Sequence, residues 1–140
     1  MVALLVISVG MIGVAALHGL ALSASGEAIR RSLAVGLASD IADRIRVNRG
    51  AQLAYEGEAA DHRCDDPTDD GGVDCSPAEM AAHDLFVWQA DVAKALPAGQ
   101  GTIDVDDGAN PPTYTVTVSW VEPTQGPPVT SRFTFELPTY

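Results

Sequence analysis

The sequence predicts an α+β fold. A long N-terminal α-helix, apolar enough in its first half to span a membrane, packs against a small antiparallel sheet of about three strands. One additional helix and a disulfide loop complete it. Three observations predict this. Met1–Leu22 contains no charged residue. From Glu27 to Ile45 apolar residues recur at helical spacing. Tyr114–Val121 and Val129–Leu137 alternate apolar and polar residues, the period of a strand with one face buried.

The first element reads MVALLVISVGMIGVAALHGLAL. A helix of ~20 residues at ~1.5 Å per residue crosses the ~30 Å apolar core of a bilayer. Gly10, Gly13 and Gly19 interrupt the aliphatics; glycine lets membrane helices pack closely. His18 reads as an interfacial residue near the end of the span. A second reading makes this run a cleaved export signal cut near Ser23-Ala24-Ser25. No basic residue precedes the run, and the helical pattern continues through the cut, so a retained span is expected.

Ile29, Leu33, Leu37, Ile41 and Ile45 then recur every four residues, with Ala34, Ala38 and Ala42 widening the stripe. Glu27–Arg31 and Asp40–Arg44 are acid-before-base pairs one turn apart. Arg44, Arg46 and Arg49 suit the negative end of the helix dipole. Asn48 and Gly50 offer one helix end, Leu53 another. The expected organisation is an apolar half-helix over 1–22, an amphipathic half over 23–53, and a head over 54–140.

Glu56–Pro77 is rich in turn formers and reads as loop. Cys64 and Cys75 are the chain's two cysteines. In an exported head they are most simply a disulfide, which requires an oxidising compartment. Ser76-Pro77-Ala78-Glu79 starts the second helix: Ser76 as N-cap, Pro77 at the first helical position, Glu79 closing a capping box. That helix runs to about Leu96, with Met80, Leu85, Trp88, Val92 and Leu96 inward and Phe86 or Val87 at the margin. Thr102–Val105 is the first strand and Asp106-Asp107-Gly108 its turn. In the second, Tyr114, Val116, Val118 and Trp120 share a face. In the third, Val129, Ser131, Phe133, Phe135 and Leu137 do. The amphipathic half of the long helix is the expected cover for the sheet.

The formal net charge is −11, from 19 acidic against 8 basic residues, which argues against direct nucleic-acid binding. No nucleophile elbow, zinc-protease, P-loop or dinucleotide motif is present, so neither enzymatic activity nor a cofactor is expected. Asp66-x-Thr68-x-Asp70-Gly71 echoes the start of a calcium loop, but the twelfth position is Pro77 where the motif needs glutamate. His62, Cys64, Cys75 and His83 match no common zinc spacing. No metal site is expected, and Asp104, Asp106 and Asp107 read as a hairpin turn.

Several stretches resemble one family. Met1-Val-Ala-Leu-Leu-Val-Ile-Ser-Val-Gly-Met-Ile-Gly13, with Arg31, Ala38, Asp40, Arg44 and Asn48 downstream, is similar to the N-terminal helix of type IV pilins of the minor, PilV type. Cys75-Ser-Pro77, Asp84-Leu85, Trp88, Leu96-Pro-Ala-Gly-Gln-Gly-Thr102 and Tyr114–Trp120 resemble the head of the same group. The family's basic leader, its glycine and its early aromatic and glutamate do not precede Met1, so its start is expected further upstream. The resemblance implies a subunit held in the bacterial inner membrane with a periplasmic head, later built into a surface pilus. Expected partners are inner-membrane lipid, other pilin and minor pilin subunits, and the pilus assembly machinery. Leu4, Leu5, Ile7, Val9, Ile12, Val14 and Leu17 are the expected packing residues. It further implies a part in initiating or modifying pilus assembly, and so in twitching motility. The alternatives are a type II secretion pseudopilin and a membrane-tethered periplasmic binding module.

Overall fold

A computed structural model describes residues 2–65, 74–109, 111–122 and 128–136. Helix α1 (Val2–Val47) is followed by a 3₁₀ helix (Arg49–Glu56), helix α2 (Pro77–Ala95) and strands β1 (Gln100–Asp106), β2 (Thr113–Trp120) and β3 (Val129–Glu136). The chain divides into two compact units, Met1–Ser32 and Leu33–Tyr140.

In the second unit the strands form one antiparallel sheet in the order β1-β2-β3. Val116 sits between Ile103 and Phe133 in the register, and Val118 between Gly101 and Ser131. The strict alternation of β2 is expressed in full: Tyr114, Val116, Val118 and Trp120 are buried, and the hydroxyl residues between them half-buried. One core cluster joins these four to Trp88, Leu85 and Val92 of α2, to Ala34, Ala38, Ile41 and Ile45 of α1, and to Tyr55.

Two expectations need correction. The four-residue repeat of α1 does not form one buried face. Ala34, Ala38, Ile41, Ala42 and Ile45 are buried, whereas Ile29 and Leu33 are exposed and Leu37 is half-buried. A step of four residues overshoots a turn by about 40°, so four steps carry the stripe nearly to the opposite side. The alanines expected at its margin are its centre. They leave room for the Trp88 indole, whose Nε1 donates to the Leu37 carbonyl at 2.9 Å. Secondly, of the two helix ends offered the structure takes the one at Asn48 and not Leu53: α1 ends at Val47, and the Asn48 side chain donates to the Pro77 carbonyl at 2.8 Å. The residues through Glu56, read as helix end and loop, are the 3₁₀ helix. Its Tyr55 enters the core, and its Glu56 carboxylate accepts from the Val105 amide at 2.6 Å.

Helix α2 starts as its sequence predicts. The Ser76 hydroxyl accepts from the Glu79 amide at 3.3 Å, and the Glu79 carboxylate accepts from the Ser76 amide at 2.9 Å. The reciprocal bonds hold the Glu79 carboxyl below its ordinary range, the Ser76 hydroxyl contributing most. The Trp88 ring packs against β1 at Gly101, where an added Cβ would collide with the ring. Gly101 is therefore a contact requirement. Leu137 and residues 123–127 of the β2–β3 turn lie outside the described residues.

Candidate assembly surface

The first unit is helical from Val2 onward, and its apolar side chains do not all find cover. Ile7 is 60% exposed, Met11 71% and Val14 54%. These positions follow the i, i+4, i+7 spacing of one helix face, and with Gly10 they line a single shallow groove. Gly10 has open space where a side chain would stand, so it widens the groove. His18 continues the same face and is turned back on its own helix, Nδ1 donating to the Val14 carbonyl at 2.9 Å. Glu27 and Arg31 form the expected pair at 2.7 Å.

Of the predicted packing residues, Ile7 and Val14 fall on this face; the side chains of Leu4, Leu5, Val9, Ile12 and Leu17 lie outside the described residues. Met11 belongs to the face and was legible from its spacing alone. Among the described residues no helix is long and apolar enough to cross a membrane. Most side chains of residues 1–23 are not among those described, and the span is an inference from the sequence.

In the second unit one group of polar side chains is turned inward and paired. The Tyr55 hydroxyl donates to Asp84 Oδ2 at 2.9 Å, and the Arg44 guanidinium donates to Asp84 Oδ1 at 3.1 Å and to Asp40 at 3.1 Å. Burial pushes the Tyr55 hydroxyl well above the usual tyrosine value, and burial likewise raises Tyr114. Sequence spacing shows the Asp40–Arg44 pair; Asp84 and Tyr55 are reached only through the tertiary fold. The network locks α1, the 3₁₀ helix and α2 together and presents no free nucleophile or base.

Cys64 and Cys75 are joined in a disulfide, with 6.0 Å between their Cα atoms. That bond removes both from any zinc site with His62 and His83. Among the described residues no group of three or more metal-ligating side chains is placed to hold a metal ion. Asp106 accepts from the Gly108 amide at 3.0 Å, the geometry of a turn. Asp66, Thr68, Asp70 and Gly71 lie outside the described residues.

An uncovered apolar helix face in one unit and a disulfide-closed α+β head in the other are the parts of a pilin subunit. The model of the Tt1218-like family, type IV pilin Tt1218, matches residues 16–86, half of the chain, and the chain belongs to that family. The matched stretch takes in most of α1, the 3₁₀ helix, the disulfide and the first half of α2. No curated protein and no solved structure matches the chain. Pilins are structural subunits that associate with other pilin subunits in a pilus, and the chain is a type IV pilin subunit in that sense.

Proposed function

We propose that this pilin is a minor subunit of the PilV kind, which helps to initiate or modify pilus assembly by helix packing. Before assembly residues 1–22 sit in the inner membrane and the head lies in the periplasm. On assembly the same apolar surface exchanges lipid for the helices of neighbouring subunits, so it never meets water. No bond is made or broken in this exchange; the work is done by packing and by apolar area kept dry.

The observation that carries the reading is the groove of Ile7, Gly10, Met11 and Val14, an exposed apolar face on a stretch without charge. A charged group placed in such a face costs about 2.5–3.5 kcal/mol on insertion scales. The test is complementation of a deletion strain. The native chain restores piliation, and Met11→Asp does not, although its head accumulates in folded, disulfide-bonded form. Restoration by Met11→Asp to the native level would overturn the reading. Quantitation of sheared pili separates minor from major: the chain is expected as a small fraction of filament protein, and finding it as the bulk component would remove the word minor.

A further inference from the structure

One buried titratable group has no part in packing apolar surface or in assembly. His83, on α2, is 4% exposed, and neither ring nitrogen makes a well-directed hydrogen bond. Each nitrogen instead faces a carboxylate. Nε2 is 3.0 Å from Asp65 Oδ1, and Nδ1 is 3.4 Å from Asp61 Oδ1. Asp61 precedes Cys64 by three residues and Asp65 follows it directly, so the two acids flank that cysteine. The same segment is tied to α2 at a backbone bond, the Ala60 amide donating to the Ala82 carbonyl at 3.0 Å.

The chemistry of imidazole makes this arrangement state-dependent. A neutral ring carries one N–H donor and one acceptor; the imidazolium carries two donors. Two ionised carboxylates on opposite sides of one ring can both be satisfied only by the imidazolium. In the neutral ring one carboxylate faces a lone pair, which is repulsive. We infer that His83 is a pH-sensitive clasp, which in its protonated form pins the chain on both sides of Cys64 onto α2 through Asp61 and Asp65, and releases it when the ring loses its proton.

His62 lies between Asp61 and Arg63 in the same segment, and two acids of α2 have partners of their own. On α2, Glu79 is bonded to Ser76, and Asp84 is bonded to Tyr55 of the 3₁₀ helix and to Arg44 of α1. Within the segment itself, Asp61 also accepts from the Arg63 amide at 3.0 Å. The grip is therefore present where carboxylates are ionised and the ring is charged. It is lost when the ring gives up its proton, and also when the aspartates are neutralised. Asp65 is 76% and Asp61 49% exposed at the side chain, so water shares the interaction and the effect is modest.

The test is hydrogen exchange on the full chain, isotope-labelled and held in detergent micelles. The amide followed is Ala60, referred to the Leu96 amide, which donates to Val92 within the end of α2. Taking the ratio removes the intrinsic pH dependence of exchange. Between about pH 6 and about pH 8 the relative protection of Ala60 is expected to fall by about threefold or more in the native chain. The fall is expected to be smaller in Asp65→Asn, a substitution at an exposed side chain that leaves the Asp61 contact in place, and absent in His83→Gln, which keeps a polar side chain without the ring. A flat ratio in the native chain overturns the clasp. So does a fall of equal size in Asp65→Asn, since the release would then not run through this pair.

Discussion

The two units of this chain treat apolar surface in opposite ways. In Leu33–Tyr140 each large apolar side chain of the core has a partner from another element, and both tryptophan N–H groups are satisfied: Trp88 on the Leu37 carbonyl, Trp120 on the buried Glu122 carboxylate at 2.8 Å. In Met1–Ser32 Ile7, Met11 and Val14 stand open on one helix face. Exposed apolar area on that scale is retained where something other than water covers it. The core of the head closes on itself, with Leu33, Val35, Val47, Leu53, Phe86 and Val121 exposed singly around it, whereas Ile7, Met11 and Val14 share one groove on the helix. Substitutions in the head should therefore read out as stability, and substitutions on the face as assembly.

The largest stability effect falls at the centre of the head. Trp88→Ala removes a fully buried ring that fills the space between α1 and Gly101, and should cost about 3–5 kcal/mol in denaturant unfolding of the full chain. Replacing Cys64 and Cys75 together by serine should cost about 3 kcal/mol on the chain-entropy account of a short loop. Tyr55→Phe leaves Asp84 with Arg44 alone and should cost about 1–2 kcal/mol. A fall comparable to that of Trp88→Ala would mean that the polar network, and not the apolar cluster, organises the head.

Two pH limits follow from the same residues. Burial raises the Tyr55 and Tyr114 hydroxyls, so the folded state holds their protons more tightly than the unfolded chain does. Their contribution is present below the ordinary tyrosine range near about pH 10 and is lost as pH climbs above it; Tyr55→Phe should blunt that alkaline loss in a thermal melt. The Glu79 carboxyl is lowered by its bonds to Ser76, so its contribution is present above the ordinary carboxylate range and disappears as pH falls through the lowered value. In Ser76→Ala the acid-side difference should shrink, the backbone amide at position 76 still bonding the carboxylate, and α2 should lose about 1 kcal/mol of capping. The smallest effect belongs to the other unit. Met11→Ser should leave unfolding of the head within about 0.5 kcal/mol of the native chain while reducing incorporation into pili. A loss of 2 kcal/mol or more, on the order of a core substitution, would break the division of labour.

What was legible in the sequence follows the range of the interactions. The capping box is decided by four consecutive residues, and Ser76–Glu79 appears as predicted. The alternation of β2 is decided by a two-residue period against one buried face, and it too appears as predicted. The disulfide follows from there being two cysteines in an exported head. The buried face of α1 was misread because a four-residue period precesses around the helix. Which part of it is covered depends on where α2 and the sheet stand, which the local pattern does not hold. The 3₁₀ helix was hidden by the glycine and polar residues of Arg49–Glu56, although Tyr55 is an anchor of the core. His83 is weighed in the sequence only as a zinc ligand, and Asp61 and Asp65 are brought to it by the path of the chain on either side of Cys64. Family membership rests on residues 16–86, and this stretch carries the disulfide and the alanine-rich part of α1 rather than the apolar start.

The central claim is that the Ile7–Met11–Val14 face is built to be covered by something outside the chain. A photo-crosslinking amino acid at Met11, activated in living cells, tests it directly. The predicted result is an adduct with other pilin subunits in the sheared pilus fraction, and lipid-phase adducts in the membrane fraction when assembly is blocked. Adducts confined to residues of the same chain, in both fractions, would contradict it.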